Sequence, residues 1–178
     1  MPNDAIAKAR TRLWKPITSK MKDVPKWALI IGSFGYAGLS PVSSGTVGSA
    51  VAALLYYFIT PLQHLGMLSV LCFIIFVAGV VATDVIALKL GEHDPSVVVI
   101  DEVLGQWLAL FTWTYVGNPL YVVIAFFAFR FFDIFKIYPA SVFEKRQGGS
   151  AVMLDDAVAG IYANIAAHLA MYGIALLK

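Results

Sequence analysis

The chain has 178 residues, 60% of them apolar, with 13 Lys and Arg against 11 Asp and Glu for a formal net charge of +2. A mean hydropathy of +0.78 with only 13% charged residues is too apolar for a water-solvated domain of this size, so lipid is the expected solvent. The single cysteine, Cys72, sits in the middle of an apolar run; it reads as packing and excludes a disulfide framework or a cysteine-based zinc site.

Residues 1–26 hold Lys8, Arg10, Arg12, Lys15, Lys20, Lys22 and Lys26, seven of the thirteen basic residues. They lack a compact apolar core followed by a cleavage site, so no secretory signal is expected. Positive residues ahead of a first span resist translocation and are drawn to anionic headgroups, which places this segment on the cytoplasmic side. A weak stripe of Ile6, Ala9, Leu13 and Trp14 suits an interfacial helix, a solvated basic tail being the alternative. No basic, aromatic-interleaved groove follows, which argues against a nucleic-acid partner. The remainder, 27–178, reads as one membrane-embedded helical domain.

From 27 to 83 there is no Asp, Glu, Lys or Arg. Within it, 32–48 has five glycines, five Ser or Thr and one Pro and reads as a loop, a candidate wall for a polar cavity. The apolar segments 45–60 and 66–83, joined by PLQHL, form an expected helical hairpin. The uncharged run 103–129 is interrupted at Val116-Gly117-Asn118-Pro119, a turn signal that divides it into two helices. The last helix is expected over 157–177. If 103–129 were a single kinked span, Arg130, Lys136, Lys145 and Arg146 would be exported. With a turn at 117–119, every charge-rich connection stays on the cytoplasmic side, as the positive-inside bias prefers. The expected fold is therefore all-α, a membrane helical bundle of about four to five embedded helices, with a Gly-rich loop before the first and an interfacial N-terminal helix. Segments 45–60, 103–116 and 119–132 reach only about 21–24 Å at 1.5 Å per residue, against a hydrocarbon core of about 30 Å, so some of them reach part way or re-enter.

The acids return as adjacent pairs at the edges of apolar runs, Asp101-Glu102 and Asp155-Asp156. A carboxylate beside hydrocarbon persists when solvated, paired or bound to a cation. The run Ser96 to Ile100 is β-branched and reads as extended, with Asp101-Glu102 at the helix start that follows. Glu102 and Gln106 are four apart and share a helix face, able to point together into a polar pocket. Paired carboxylates offer hard oxygen ligands that suit Mg2+; capping of a helix N-terminus explains one acid well and two less well. Asp155-Asp156 repeat the arrangement ahead of Ala159 and Gly160, small residues that admit a close neighbour. Between the pairs, Arg130, Asp133 and Lys136 are spaced by three and fall roughly on one helix face. Asp133 suits a metal ligand, and Arg130 and Lys136 suit a phosphoryl group, a salt-bridge ladder being the structural alternative. Gly45-Thr46 stand where backbone N–H groups at a helix start favour anions, without the pattern of a nucleotide loop. His93, next to Asp94, is placed for proton transfer or substrate binding. His64 and His168 read as packing or interfacial, and Asp84, Glu92 and Glu144 as solvated or structural.

Four blocks in order, GSFGYAGLSPVSSGTVGS, HDPSVVVIDEVLGQW, FRFFDIFKIYP and GGSAVMLDDAVAG, resemble the phosphatidylglycerophosphatase A family from about residue 31 to 163. The resemblance falls on Gly45 and Thr46; on His93, Asp94, Asp101, Glu102, Gly105 and Trp107; on Arg130, Asp133, Lys136 and Pro139; and on Gly148, Gly149, Asp155, Asp156 and Gly160. Ser44 stands where the family commonly has Pro, and so does Ile137; neither change removes a charged group. What it implies is a Mg2+-dependent hydrolase of the bacterial inner membrane, multi-pass with its site facing the cytoplasm, acting in phospholipid biosynthesis. Its substrate would be the phosphomonoester of phosphatidylglycerol phosphate, giving phosphatidylglycerol. Catalysis would fall to Asp101, Glu102, Asp133, Asp156 and His93, phosphate binding to Gly45, Thr46, Arg130 and Lys136, and metal binding to Asp101, Glu102, Asp133, Asp155 and Asp156.

The expected partners are a phospholipid and the bilayer, with no obligate protein partner evident. Cys72 has Ala78 six residues on, no Asp-x-Asp occurs, and no histidine pair has the setting of a nucleophile, which leaves metal-assisted attack by water or an unconventional aspartyl nucleophile. A small divalent-cation transporter or channel subunit is the competing class. It would distribute acids along a pore, whereas no acid interrupts the centre of an uncharged run here.

Overall fold

A computed structural model describes residues 20–112 and 114–177. The expected interfacial helix at Ile6, Ala9, Leu13 and Trp14 lies outside them. The described residues form helices and no strand: α1 (Lys26–Gly32), α2 (Ser44–Phe58), α3 (Leu65–Leu90), α4 (Ile100–Ala109), α5 (Pro119–Phe135), α6 (Ala140–Glu144) and α7 (Gly149–Leu176). Short 3-10 turns cover Lys20–Asp23, Ala37–Leu39 and Thr60–Gln63.

The long helix α7 is the hub, packed against α3, α4, α5 and α6, while α2 packs on α4 and α1 on α3. Among the described residues two helices, α3 and α7, are long and apolar enough to cross a bilayer, with peak mean hydropathies of 2.7 and 1.3. Their outward faces remain apolar: Phe73, Ile74, Val77 and Val81 on α3 and Ile161, Ile165 and Leu169 on α7 are about half exposed or more. Such a belt suits a surface covered by lipid.

α4 and α5 are separate helices, as the Gly117-Asn118-Pro119 turn predicts. The Asn118 side chain caps α5 by accepting from the N–H groups of Leu120 (2.9 Å) and Tyr121 (3.3 Å), and Pro119 occupies the first helical position, where it loses no bond. α4 is about 15 Å long at 1.5 Å per residue and ends inside the bundle. Its terminal carbonyls would be orphaned there, and neighbouring side chains supply the missing donors. Asn164 Nδ2 donates to the carbonyls of Ala109 (3.1 Å) and Phe111 (2.7 Å), and the Tyr121 hydroxyl donates to Ala109 (3.1 Å).

Several boundaries depart from the sequence reading. The first expected helix begins at Ser44, so Gly45 and Thr46 lie in its first turn and not ahead of it. α3 continues through Asp84 to Leu90, since one acid on an exposed face does not end a helix of this apolarity. The stretch read as extended, Ser96 to Ile100, is so only in part: Ser96 and Val97 turn, Ile100 opens α4, and the Val99 N–H donates to the Gly32 carbonyl (2.8 Å) while 97–100 are buried. α4 ends at Ala109, well before 116. α7 starts at Gly149, eight residues earlier than expected, placing Asp155-Asp156 in its second turn. Asp84 holds that start by accepting from the Gly149 N–H at 2.5 Å, a carboxylate at the positive end of a helix.

Candidate active site

Three helices meet closely where the acids gather. A Cβ at Gly160 of α7 would run into the Gly105 carbonyl oxygen and lie 2.9 Å from the Gly105 Cα, so α4 and α7 touch through their main chains. That contact, one turn beyond Asp156, sets the second acidic pair against the first. A Cβ at Gly45 would collide with Glu102 Oε1 and lie 3.3 Å from an Arg130 guanidinium nitrogen, so the first turn of α2 lies against Glu102.

Asp101, Glu102 and Asp156 each present an oxygen, and the three oxygens lie within 4.8 Å of one another. Asp101 and Asp156 are 7% and 2% exposed. Asp101 Oδ1, Glu102 Oε2 and Asp156 Oδ2 are all buried without a hydrogen-bond partner. Converging carboxylates left bare in a protein interior are costly, and a hard divalent cation is the group that satisfies such a set. The donor chemistry, all oxygen and all acidic, fits Mg2+ better than a soft metal.

Asp133 and Asp155, the other two acids expected here, are engaged by cations. Arg130 approaches Asp133 at 2.8 Å, and Lys136 Nζ lies 2.6 Å from Asp155, 3.7 Å from Asp133 and 3.8 Å from Asp156. Lys136 caps α5 in the left-handed region, φ 41°, with its N–H donating to the Phe132 carbonyl. Burial by itself lowers the Lys136 ammonium, but Asp156, Asp155 and Asp133 outweigh it and the net shift is upward, so the lysine stays charged.

Ser49 escaped the sequence reading. It is fully buried, donates to the Gly45 carbonyl (2.8 Å) and accepts from Arg130 (3.2 Å), linking α2 to the guanidinium. Its position four residues after Gly45, on the same face of α2, was the available signal. Arg130 Nε is buried and unpartnered, a donor in reserve beside the carboxylates. Gln106 is fully buried one turn below Glu102, with both amide atoms unpartnered. Thr46 Oγ1 pairs with Ser43 Oγ at 2.7 Å at the start of α2. His93 is exposed on the loop 91–99, next to Asp94, which lies within electrostatic reach of Lys136, Asp155 and Asp133. His168 sits far from the acids, bonded to Thr112 (3.0 Å) near the end of α4.

Residues 30–171 match the family model described as Phosphatidylglycerophosphatase A. The chain belongs to the phosphatidylglycerophosphatase A family. Curated members of that name are similar to it: the protein of Escherichia coli K12 is 34% identical over 80% of this chain and 82% of its own length. The protein of Haemophilus influenzae Rd is 30% identical over 81% and 88%. A Bacteroides thetaiotaomicron protein, provisionally named a phosphatidylinositol-3-phosphatase, is 35% identical over 77% of this chain and 89% of its own. No solved structure matches. The matched span takes in the acidic cluster, both cations and the Gly105–Gly160 contact.

Proposed function

We propose that this chain hydrolyses the phosphomonoester of phosphatidylglycerol phosphate to phosphatidylglycerol and phosphate, with Mg2+ held by Asp101, Glu102 and Asp156. The observation that carries the reading is the convergence of Asp101, Glu102 and Asp156, each offering an oxygen within 4.8 Å of the others and each holding a buried carboxylate oxygen with no hydrogen-bond partner, flanked by Arg130 and Lys136. Acids that hold a cation and bases that hold an anion, side by side, suit a phosphate group. Membership of the family names the substrate.

Bound Mg2+ supplies Lewis-acid polarisation of a phosphoryl oxygen. Arg130, with its spare Nε donor, and Lys136 orient the phosphoryl group, while Asp133 and Asp155 hold those cations in position. Gly45 and Thr46 line the same level from α2. Water attacks phosphorus, the P–O ester bond breaks, and the departing alkoxide takes a proton; His93 or a carboxylate of the cluster manages that transfer. Burial of the carboxylates keeps bulk water away from the polarised group.

In this reading α2, α3, α5 and α7 are embedded in the bacterial inner membrane and α4 enters from the cytoplasmic face, making five. The acidic cluster then faces the cytoplasm, and the connections at 59–64 and 110–118 lie toward the other side. A lipid substrate reaches the site without leaving its leaflet.

The test is phosphate release by purified protein in mixed micelles of phosphatidylglycerol phosphate, with a phosphatidylinositol 3-phosphate arm beside it. Release from the first lipid, abolished by chelation, restored by Mg2+ and lost in Asp101→Asn and Asp156→Asn, is expected. Near-normal turnover in both variants ends the metal-site proposal. Divalent-cation flux into proteoliposomes without phosphate release would favour transport instead.

A further inference from the structure

We infer that the seam between α5 and α7 seats one acyl chain of the lipid substrate, beginning at the site and running toward the bilayer centre. This rests on the phosphatase reading, because a phosphate held at Arg130 and Lys136 fixes where the rest of the lipid must go. A groove of about 340 Å³ follows that seam, lined by Phe132, Ile137, Tyr162, Ile165, Ala166 and Leu169.

One end of it adjoins the site along the chain. Phe132 immediately precedes Asp133, and Ile137 immediately follows Lys136, so the residues that position the cations and those that open the groove belong to the same turn. The Phe132 ring packs on Tyr162 at 5.7 Å between centroids, and the Tyr162 hydroxyl donates to the Tyr138 carbonyl at 2.9 Å. That pairing uses up the one polar group of the lining side chains, leaving hydrocarbon along the rest. From Tyr162 to Leu169 the groove descends about 10 Å at 1.5 Å per residue. Ala166, with only a methyl group, leaves its middle open.

The groove opens sideways. Ile165 and Leu169 are 53% and 66% exposed, so its rim faces the surroundings of the bundle and not its interior. A chain can enter laterally from lipid while the headgroup stays level with the carboxylates. A transmembrane helix of another protein would also find an apolar face here, but it would not need a groove that ends beside the ion-pair residues. The structure thus offers the phosphate charged groups and the adjoining chain an unbroken apolar path.

Ala166→Phe fills the groove; Ala170→Phe, on the exposed face of the same helix and outside the lining, serves as control. With long-chain phosphatidylglycerol phosphate, Ala166→Phe should lower kcat/KM about tenfold, the loss of roughly two buried methylenes. With a dibutyryl analogue of the same headgroup it should stay within about twofold of wild type, as should Ala170→Phe with either substrate. An equal fall on both lipids, or none on either, overturns the groove. A long-chain analogue carrying a diazirine in one acyl chain gives a second readout on the wild-type protein. Labelling concentrated within 162–169 and displaced by unlabelled substrate supports the proposal, and labelling spread evenly around the apolar belt overturns it. Failure of the wild type to release phosphate from either lipid defeats the phosphatase reading, while the labelling map still decides what the groove holds.

Discussion

Replacing Gly160 by alanine tests whether the contact of α4 with α7 sets the geometry of the acidic cluster. The added Cβ would lie 2.9 Å from the Gly105 Cα and 3.0 Å from its carbonyl carbon, besides colliding with the oxygen. An ordinary carbon contact is about 3.5 Å, so the helices must part by at least about 0.6 Å, and the collision with the oxygen asks for more. None of the atoms met is a flexible side-chain end; all are backbone of α4. Gly160 is one turn from Asp156, and the shift therefore carries that carboxylate away from Asp101 and Glu102. Sites of this kind tolerate about 0.5 Å, and a misplacement of 1 Å costs about a hundredfold, so phosphate release should fall roughly ten- to a hundredfold. Overpacking should cost about 1–3 kcal/mol of stability. Gly173→Ala is the matched control, on the same helix with nothing within 4 Å of the new Cβ. Steady-state phosphate release and thermal unfolding in detergent read both effects. Gly160→Ala within twofold of wild type, or Gly173→Ala equally impaired, would refute the reasoning.

Ser49→Ala removes the acceptor at 3.2 Å from Arg130; a hydrogen bond to a charged group contributes about 1.5–3 kcal/mol, and KM for the lipid phosphate should rise about tenfold or more. Unchanged KM would detach Ser49 from substrate binding. Lys136→Met strands Asp155 and Asp156 without their cation and should destabilise the fold by about 3–5 kcal/mol in thermal unfolding; adding Asp155→Asn should recover part of this, and no recovery would deny the pairing. Asp84→Ala frees the Gly149 N–H and should cost about 1 kcal/mol with phosphate release intact, so a large loss of activity would place Asp84 in the chemistry.

Much of the architecture was legible because lipid-facing helices announce themselves by the absence of charge and turns by Gly, Asn and Pro. The division at 117–119 follows directly from Asn118 capping a helix that Pro119 opens. Helix ends were harder to read. Asp155 and Asp156 read as a boundary since charge normally ends an apolar run, but one is paired and the other joins a buried cluster, so the helix continues through both. The end of α4 at Ala109 was hidden for the opposite reason: its capping groups come from Asn164 and Tyr121, on other helices.

By itself the sequence determined an all-helical bundle suited to a membrane across the described residues, and it set apart the two acidic pairs and the Arg130, Asp133, Lys136 turn as the groups a site would use. Only the tertiary structure decided how those groups divide. Neighbours on a helix point about 100° apart, and packing sets Asp155 against Lys136 at 2.6 Å while Asp156, 3.8 Å from the same ammonium, also reaches Asp101 and Glu102. Composition records which charges a chain must accommodate near lipid. Which of them converge depends on how closely the backbones approach, and here that approach rests on two glycines, 105 and 160.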